Sequence, residues 1–227
     1  TLCDMCFMTK CPYVPPHEWN LDYPHLMLRV RAREFRERRV VFTQRQLTET
    51  DRNGQLATRV APLANWGSRC GNSLTRPVLE HVAGVDRRAH LPRYTGTTFE
   101  RQARDAAPAA NREAPAFGRK AVLFATCFAN YNNPEIAMAA LGVLARNGVE
   151  VEVAYPQCCG MPQLEYGDVA RVAGKAVSTA AALRPWVDKG YDIVVPVPSC
   201  ALMMKFEWPL LEPDDENVRQ LSRATFD

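Results

Sequence analysis

Three short hydrophobic runs in the second half of the chain each end close to a cysteine. The run KAVLFAT leads directly into Cys127, VEVEVAY is followed within a few residues by the adjacent pair Cys158-Cys159 and then Gly160, and YDIVVPV is followed by Cys200. Short apolar runs rich in β-branched residues are typical of buried strands. The pattern predicts three strands, over residues 120–126, 149–155 and 191–197.

Helical segments are predicted between these strands. Pro134 suits the first helical position and Gly148 a helix end, so a helix is expected over about 134–147. An alanine-rich segment over about 168–189 predicts a second helix, and a third is expected to begin just after Cys200. Strand and helix alternate, which predicts an α/β fold with a parallel βαβαβα layer.

In a parallel layer, the cysteines that follow the strands should meet at one edge. Parallel strands share a carboxyl end, where α/β sheets bind ligands. We therefore expect Cys127, Cys158, Cys159 and Cys200 to form one metal-binding site, in which nearby helix N-termini would stabilise thiolates. No glycine-rich phosphate-binding loop occupies these turns, so the nucleotide-binding use of this architecture is not indicated.

Other interpretations of these four cysteines remain open. They could be ordinary buried residues, because free cysteine is among the most buried residue types. A vicinal disulfide between Cys158 and Cys159 would strain their shared peptide and would leave the outer cysteines unexplained. Two competing functions follow: a zinc-stabilised structural or interaction module, and a thiol-disulfide enzyme working through Cys158 and Cys159.

A second group of cysteines lies at the N-terminus. Cys3 and Cys6 are separated by two residues, and Cys11 is followed by proline, as in bacterial ferredoxin motifs. The interval from Cys6 to Cys11 is one residue longer than usual. The first cysteine of such a motif would precede Thr1, so the chain is expected to be a fragment cut inside the motif. A zinc knuckle is the alternative, but no second cysteine or histidine pair stands at zinc spacing.

Several segments of the chain resemble a known family. The stretch ATCFANYNNPEIAMAALGVLARNGVEVEVAYPQCCGMP, followed by PVPSCALMMKFEWPLL, resembles the cysteine-rich CCG domain found in the B subunit of heterodisulfide reductase and in the C subunit of anaerobic glycerol-3-phosphate dehydrogenase. The opening TLCDMCFMTKCPYVPPHEWNLDYPHLMLR resembles the second ferredoxin motif of the same group. One departure is Val197, which stands where the heterodisulfide reductase pattern has a further cysteine. This departure argues against a five-cysteine noncubane cluster and against direct disulfide chemistry.

The resemblance implies a function and a set of ligands. It implies electron transfer through iron-sulfur clusters of the 4Fe-4S type, as a subunit of a respiratory or redox oxidoreductase. It also implies other redox subunits as partners, such as a flavoprotein dehydrogenase or a quinone-linked protein. No catalytic residue is assigned, because the catalytic centre is expected on a partner or outside this chain. The expected cluster ligands are Cys3, Cys6, Cys11, Cys127, Cys158, Cys159 and Cys200.

Composition is consistent with this interpretation. Eight cysteines at metal-ligand spacings indicate a reducing, cytoplasmic compartment, with peripheral association with the membrane through a partner as a further expectation. A net charge of +3 is too small to indicate nucleic acid as a partner. The basic run over 29–39 is interrupted by Glu34 and Glu37 and predicts a solvated helix face; a docking surface for an acidic partner or membrane is the alternative.

The middle of the chain gives weaker signals. Helical patterns occur over 56–66 and 74–82, Asn53-Gly54 predicts a turn, and Asp51 to Gly54 shows an incomplete likeness to a calcium loop. Cys70 stands alone and is interpreted as structural. Three units are expected: the end of a ferredoxin-type domain over 1–39, a helical connector and linker over 40–118, and the CCG domain over 119–227.

Overall fold

The computed structural model describes residues 9, 11–37, 39 and 41–227. Within them, four strands form one parallel sheet, which confirms the predicted α/β class. The strand order is β2-β1-β3-β4, so the first strand is internal and β2 and β4 are the edges. The strands are β1 (Lys120–Phe124), β2 (Glu150–Ala154), β3 (Asp192–Val194) and β4 (Thr225–Phe226).

Helices precede the sheet and connect its strands. Those before the sheet are α1 (Tyr23–Arg36), α2 (Phe42–Leu47), α3 (Thr50–Arg59), α4 (Ala61–Ser68), α5 (Arg76–Ala83) and α6 (Phe99–Ala106). Those that follow are α7 (Cys127–Tyr131), α8 (Pro134–Arg146), α9 (Met161–Glu165), α10 (Val169–Val187), α11 (Pro198–Leu202), α12 (Trp208–Leu211) and α13 (Glu216–Ala224). Of these, α8 and α10 correspond to the two long helices expected from the sequence.

Both faces of the sheet are covered. Side chains alternate along β1, so Val122 and Phe124 enter the core beneath α10 and α13, while Leu123 enters the core beneath α6 and α8. Phe99 of α6 is fully buried in the second core. The helical segment before the sheet therefore contributes directly to the packing of the α/β layer.

A π-helical turn over Met203–Glu207 connects α11 to α12. Pro209 follows it closely and has no backbone N–H, so it cannot donate to the carbonyl of Lys205 four residues earlier. That carbonyl accepts a hydrogen bond from the hydroxyl of Ser222 on α13 instead, at 2.7 Å. A side chain of α13 thus replaces the backbone donor that Pro209 lacks.

Several expectations about the middle and the end of the chain were wrong. The predicted turn at Asn53-Gly54 lies inside α3, and Gly54 is buried against the ring of Tyr131. The same helix rules out a calcium-binding loop over Asp51 to Gly54, because helical backbone cannot surround an ion. The helical pattern over 56–66 is confirmed, but it is divided between α3 and α4, which join at Val60. The short strand β4 has no counterpart in the prediction.

Candidate metal centre

Each of the four C-terminal cysteines stands just beyond the carboxyl end of a strand. Cys127 begins α7, where Thr126 caps the helix by accepting a hydrogen bond from the backbone of Ala129 at 3.2 Å. Cys158 and Cys159 lie in the turn between β2 and α9. Cys200 lies in α11, which follows β3. Parallel pairing of β1 with both β2 and β3 brings these three turns to the same edge.

The four thiols meet there as two pairs. The sulfurs of Cys127 and Cys158 are 3.6 Å apart, and those of Cys159 and Cys200 are 3.2 Å apart. Cys158, Cys159 and Cys200 are buried, and Cys127 is half-buried; all four are free thiols. The adjacent cysteines are therefore not joined by a disulfide, and the thiol of each also faces a cysteine from a different strand end.

Gly160 fixes the backbone that separates the two pairs. Its φ is +87°, in the left-handed region that favours glycine, and a Cβ atom there would lie 3.3 Å from the methyl groups of Val172. Its N–H points to the sulfur of Cys158 at 3.5 Å. Gly160 therefore allows the chain to turn into α9 while its own N–H stays directed at the sulfur of Cys158.

Side chains from distant segments hold the peptide groups of this turn. The indole of Trp208 donates a hydrogen bond to the carbonyl of Cys159 at 3.1 Å. The N–H of Cys158 donates to the carboxylate of Asp51 at 2.9 Å, and the ammonium of Lys175 donates to the carbonyl of Cys158 at 3.4 Å. The cysteine backbone is therefore held by groups from α3, α10 and α12.

Asp51 is the centre of a polar cluster that the sequence did not reveal. Besides the Cys158 N–H, its carboxylate accepts a short hydrogen bond from the hydroxyl of Tyr155 and lies 3.5 Å from the ammonium of Lys175. Burial and the neighbouring carboxylate raise the pKa of Tyr155, which keeps it a neutral donor. Tyr155 is the last residue of the strand predicted over 149–155, so the strand-end rule could have placed it here. Asp51 and Lys175 carried no such signal.

The thiols differ in their tendency to ionise. Hydrogen bonds from the thiols of Cys127 and Cys159, together with the N–H of Gly160, hold the pKa of Cys158 well below its usual value despite burial. The pKa of Cys127 is raised because its thiol donates to Cys158 and is buried. The pKa of Cys159 is raised by its hydrogen bonds with Cys158 and Cys200 and by burial. Cys158 is thus the preferred thiolate of the cluster.

The remaining cysteines lie apart from this cluster or outside the described residues. Cys11 is half-buried at the start of a series of turns, where its carbonyl accepts from the N–H of Val14. Cys70 is exposed, and its thiol donates to the carbonyl of Arg88 at 3.7 Å. The expected ligands Cys3 and Cys6 lie outside the residues that the structure describes.

The donor set fits a sulfur-bound metal. Thiolates are the ligands that iron-sulfur clusters and zinc prefer, and four of them meet the usual number. In the described part of the chain, no three histidine, cysteine, aspartate or glutamate side chains are grouped as a formed metal site would be. In the described residues the four thiols therefore lie as two hydrogen-bonded pairs rather than around one common centre.

Comparison with known proteins agrees with this geometry. Residues 121–205 match the family model described as CCG, cysteine-rich domain, and this range includes all four clustered cysteines. This segment of the chain is therefore similar to the cysteine-rich CCG domain, which confirms the resemblance seen in the sequence.

The curated relatives are subunits of oxidoreductases. The chain is 27% identical over 176 residues to the C subunit of anaerobic glycerol-3-phosphate dehydrogenase from Escherichia coli K12, covering 76% of this chain and 43% of that protein. It is 32% identical over 94 residues to the B subunit of fumarate reductase (CoM/CoB) from Methanothermobacter marburgensis, covering 40% of this chain and 18% of that protein. The matches thus span less than half the length of these relatives. No solved structure matches the chain.

No described helix combines the length and the apolar character needed to cross a bilayer.

Proposed function

We propose that this chain is an iron-sulfur electron-transfer component of an oxidoreductase, with one cluster held by Cys127, Cys158, Cys159 and Cys200. The observation that carries the proposal is the meeting of four thiols from three strand ends, with sulfur separations of 3.6 and 3.2 Å within each pair. The match of the surrounding residues to the CCG family supports it.

The protein's own residues would do three things for such a cluster. The cysteines would provide four thiolates, of which Cys158 is already favoured as an anion. The hydrogen bonds of Trp208 and Asp51 would hold the adjacent cysteines in place. Burial of Cys158, Cys159 and Cys200 would restrict the access of water. When bound, the cluster would supply a centre that accepts and releases single electrons.

Finer details are also part of the proposal. We infer a 4Fe-4S cluster, because four cysteines are its usual ligand set. Cys3, Cys6 and Cys11 would contribute ligands to a separate, ferredoxin-type cluster. The names of the relatives support an assembly with other redox subunits, for which a flavoprotein dehydrogenase or a quinone-linked protein is the expected partner. A cytoplasmic location, peripheral to the membrane through such a partner, completes the proposal.

Metal analysis of cysteine variants tests the ligand set. Protein purified anaerobically and reconstituted with iron and sulfide should be brown. Changing Cys127, Cys158, Cys159 or Cys200 singly to Ser should each lower the bound iron by about four atoms per chain. Cys70→Ser is the matched control and should retain the wild-type iron content. Unchanged iron in any of the four variants would remove that residue from the site.

The same preparation separates the competing functions. A zinc-stabilised module would be colourless and would contain zinc after purification without added iron. A thiol-disulfide enzyme working through Cys158 and Cys159 would keep its activity after iron chelation. Bound iron with equimolar sulfide, lost together in the cysteine variants, would contradict both.

A further inference from the structure

We propose that Asp51 and Lys175 form a positioning pair that sets the reduction potential of the centre held by the four clustered cysteines, called the CCG centre below. The two residues shift this potential in opposite directions. The inference rests on the proposed function, because it requires a redox-active group bound by the four cysteines. It extends that function to two residues that are not cysteines, one of which lies before the residues matched by the family model.

Both residues contact the backbone of Cys158 in the metal-binding turn. The carboxylate of Asp51 accepts from the N–H of Cys158 at 2.9 Å, and the ammonium of Lys175 donates to the carbonyl of that residue at 3.4 Å. The two charged groups are 3.5 Å apart. Cys158 is therefore held on both sides by charges that also contact each other.

Their burial makes these charges effective. The side chain of Lys175 is 11% exposed and that of Asp51 is 25% exposed, although lysine is rarely so buried. Charges at partly buried positions are screened less by salt and act in a lower effective dielectric than surface charges. A neighbouring negative charge opposes the addition of an electron to the centre, and a positive charge favours it.

The hydroxyl of Tyr155 fixes the orientation of Asp51. It donates a hydrogen bond to one carboxylate oxygen, which leaves the other oxygen to the Cys158 N–H and to Lys175. Asp51 also stands in the first turn of α3, a helix that packs on α7 beside Cys127. The helical segment before the CCG domain thus places a charge at the cysteine site.

Redox titration of charge-neutralising variants tests the pair. Asp51→Asn keeps a side-chain oxygen for the Cys158 N–H but removes the negative charge, so the potential should rise. Lys175→Gln removes the positive charge, so the potential should fall. We expect each change to alter the ratio of reduced to oxidised centre at least tenfold at a fixed potential, which is about 59 mV for a one-electron couple.

Two control variants just after the same helix distinguish a local effect on the potential from an effect of the overall charge. Asp188→Asn and Lys189→Gln make the same chemical changes beyond the C-terminal end of α10, about 20 Å from Lys175 along the helix axis. Both should leave the potential unchanged. Lys175→Arg keeps the charge and should stay near the wild-type potential.

The possible outcomes distinguish a failure of the proposed pair from a failure of the proposed function. Wild-type protein without a redox-active metal centre would refute the proposed function. Suppose that the wild-type protein holds the centre, but that the potential shifts in the same direction in Asp51→Asn and Lys175→Gln, or shifts in neither. This result would refute the proposal about the pair and leave the proposed function standing. If Asp51→Asn fails to retain iron, Lys175→Gln is compared with Lys175→Arg instead. Equal shifts of the reduction potential in these two variants would overturn the proposal.

Discussion

The indole Nε1 of Trp208 donates a hydrogen bond to the carbonyl oxygen of Cys159, at 3.1 Å, across the fully buried core. This bond links the helix after the last cysteine to the adjacent pair at the end of β2. It satisfies a carbonyl that burial would otherwise leave without a partner. Trp208 therefore supports the turn that carries the adjacent cysteines, without itself being a candidate ligand.

Replacing Trp208 by Phe should destabilise the protein by about 2–4 kcal/mol. The change leaves the Cys159 carbonyl unsatisfied, which costs roughly 1–3 kcal/mol, and opens a small cavity that adds to this. Urea unfolding measures the loss. Trp186→Phe is the matched control, because the indole of Trp186 bonds Glu152 at an exposed position, and its loss should stay below about 1 kcal/mol. Equal losses would contradict the role given to Trp208.

Replacing Gly160 by Ala should be more harmful than replacing Gly190. Both glycines have a positive φ, +87° and +79°, so both variants carry a backbone penalty of about 1–2 kcal/mol. A methyl group at Gly160 also presses on Val172 at 3.3 Å, whereas the space around Gly190 is open. The difference in the free energy of unfolding isolates this contact. We further expect less bound iron in Gly160→Ala and wild-type iron in Gly190→Ala.

Replacing Gly54 by Ala should destabilise the protein although alanine favours helices. The new methyl group would overlap the ring of Tyr131, so α3 must move away from α7. Gly142 provides the contrast, because it lies in α8 with open space around it. Gly142→Ala should gain up to about 1 kcal/mol from helix propensity alone. Thermal unfolding of the two variants should therefore shift in opposite directions, and a stabilised Gly54→Ala would show that α3 does not pack as described.

Stability should depend on pH through His25. Its Nδ1 lies 2.6 Å from Asp22 and its Nε2 lies 3.1 Å from Glu207, a residue of the π-helical turn. Burial lowers the pKa of His25, but the bonds to Glu207 and Asp22 outweigh it, and the net pKa is raised above 6.5. Because the folded-state pKa is raised, the stabilisation is complete below about pH 6.5 and is lost as the pH rises through the folded-state value.

A comparison with His25→Gln measures this contribution. The difference in the free energy of unfolding between wild type and variant should be largest near pH 5.5 and should shrink toward pH 8.5. A difference that grows with pH would mean that His25 is held in its neutral form.

The sequence predicted the sheet and the convergence of the cysteines because both depend on local patterns. Strand-forming runs, a helix-starting proline and the direction of parallel strands were sufficient to bring Cys127, Cys158 and Cys200 to one edge. The prediction failed where tertiary contacts override local preference. Asn53-Gly54 favours a turn in isolation, but in the folded chain Gly54 lies inside α3, where the Tyr131 ring occupies the space that a side chain would need.

The residues around the cysteines could not be predicted for the same reason. Asp51 reaches Cys158 across 107 positions of sequence, and nothing in its neighbourhood distinguishes it from a solvated helix residue. Lys175 lies on a helix whose buried face is otherwise apolar or small, so its burial depends on the partner that α3 provides. The strand β4 was missed because two residues are too few to form a pattern.

The parallel crossovers also determine when the thiols can act together. Cys127 and Cys158 are 31 positions apart, and Cys159 and Cys200 are 41 apart, so in an unfolded chain each pair would have to close a long loop. Folding of the sheet and its helices closes both loops at once, because it brings the three strand ends to one edge. In the proposed site, incoming iron would therefore meet four thiols that only the assembled layer gathers, and it would then have to separate the two hydrogen-bonded pairs.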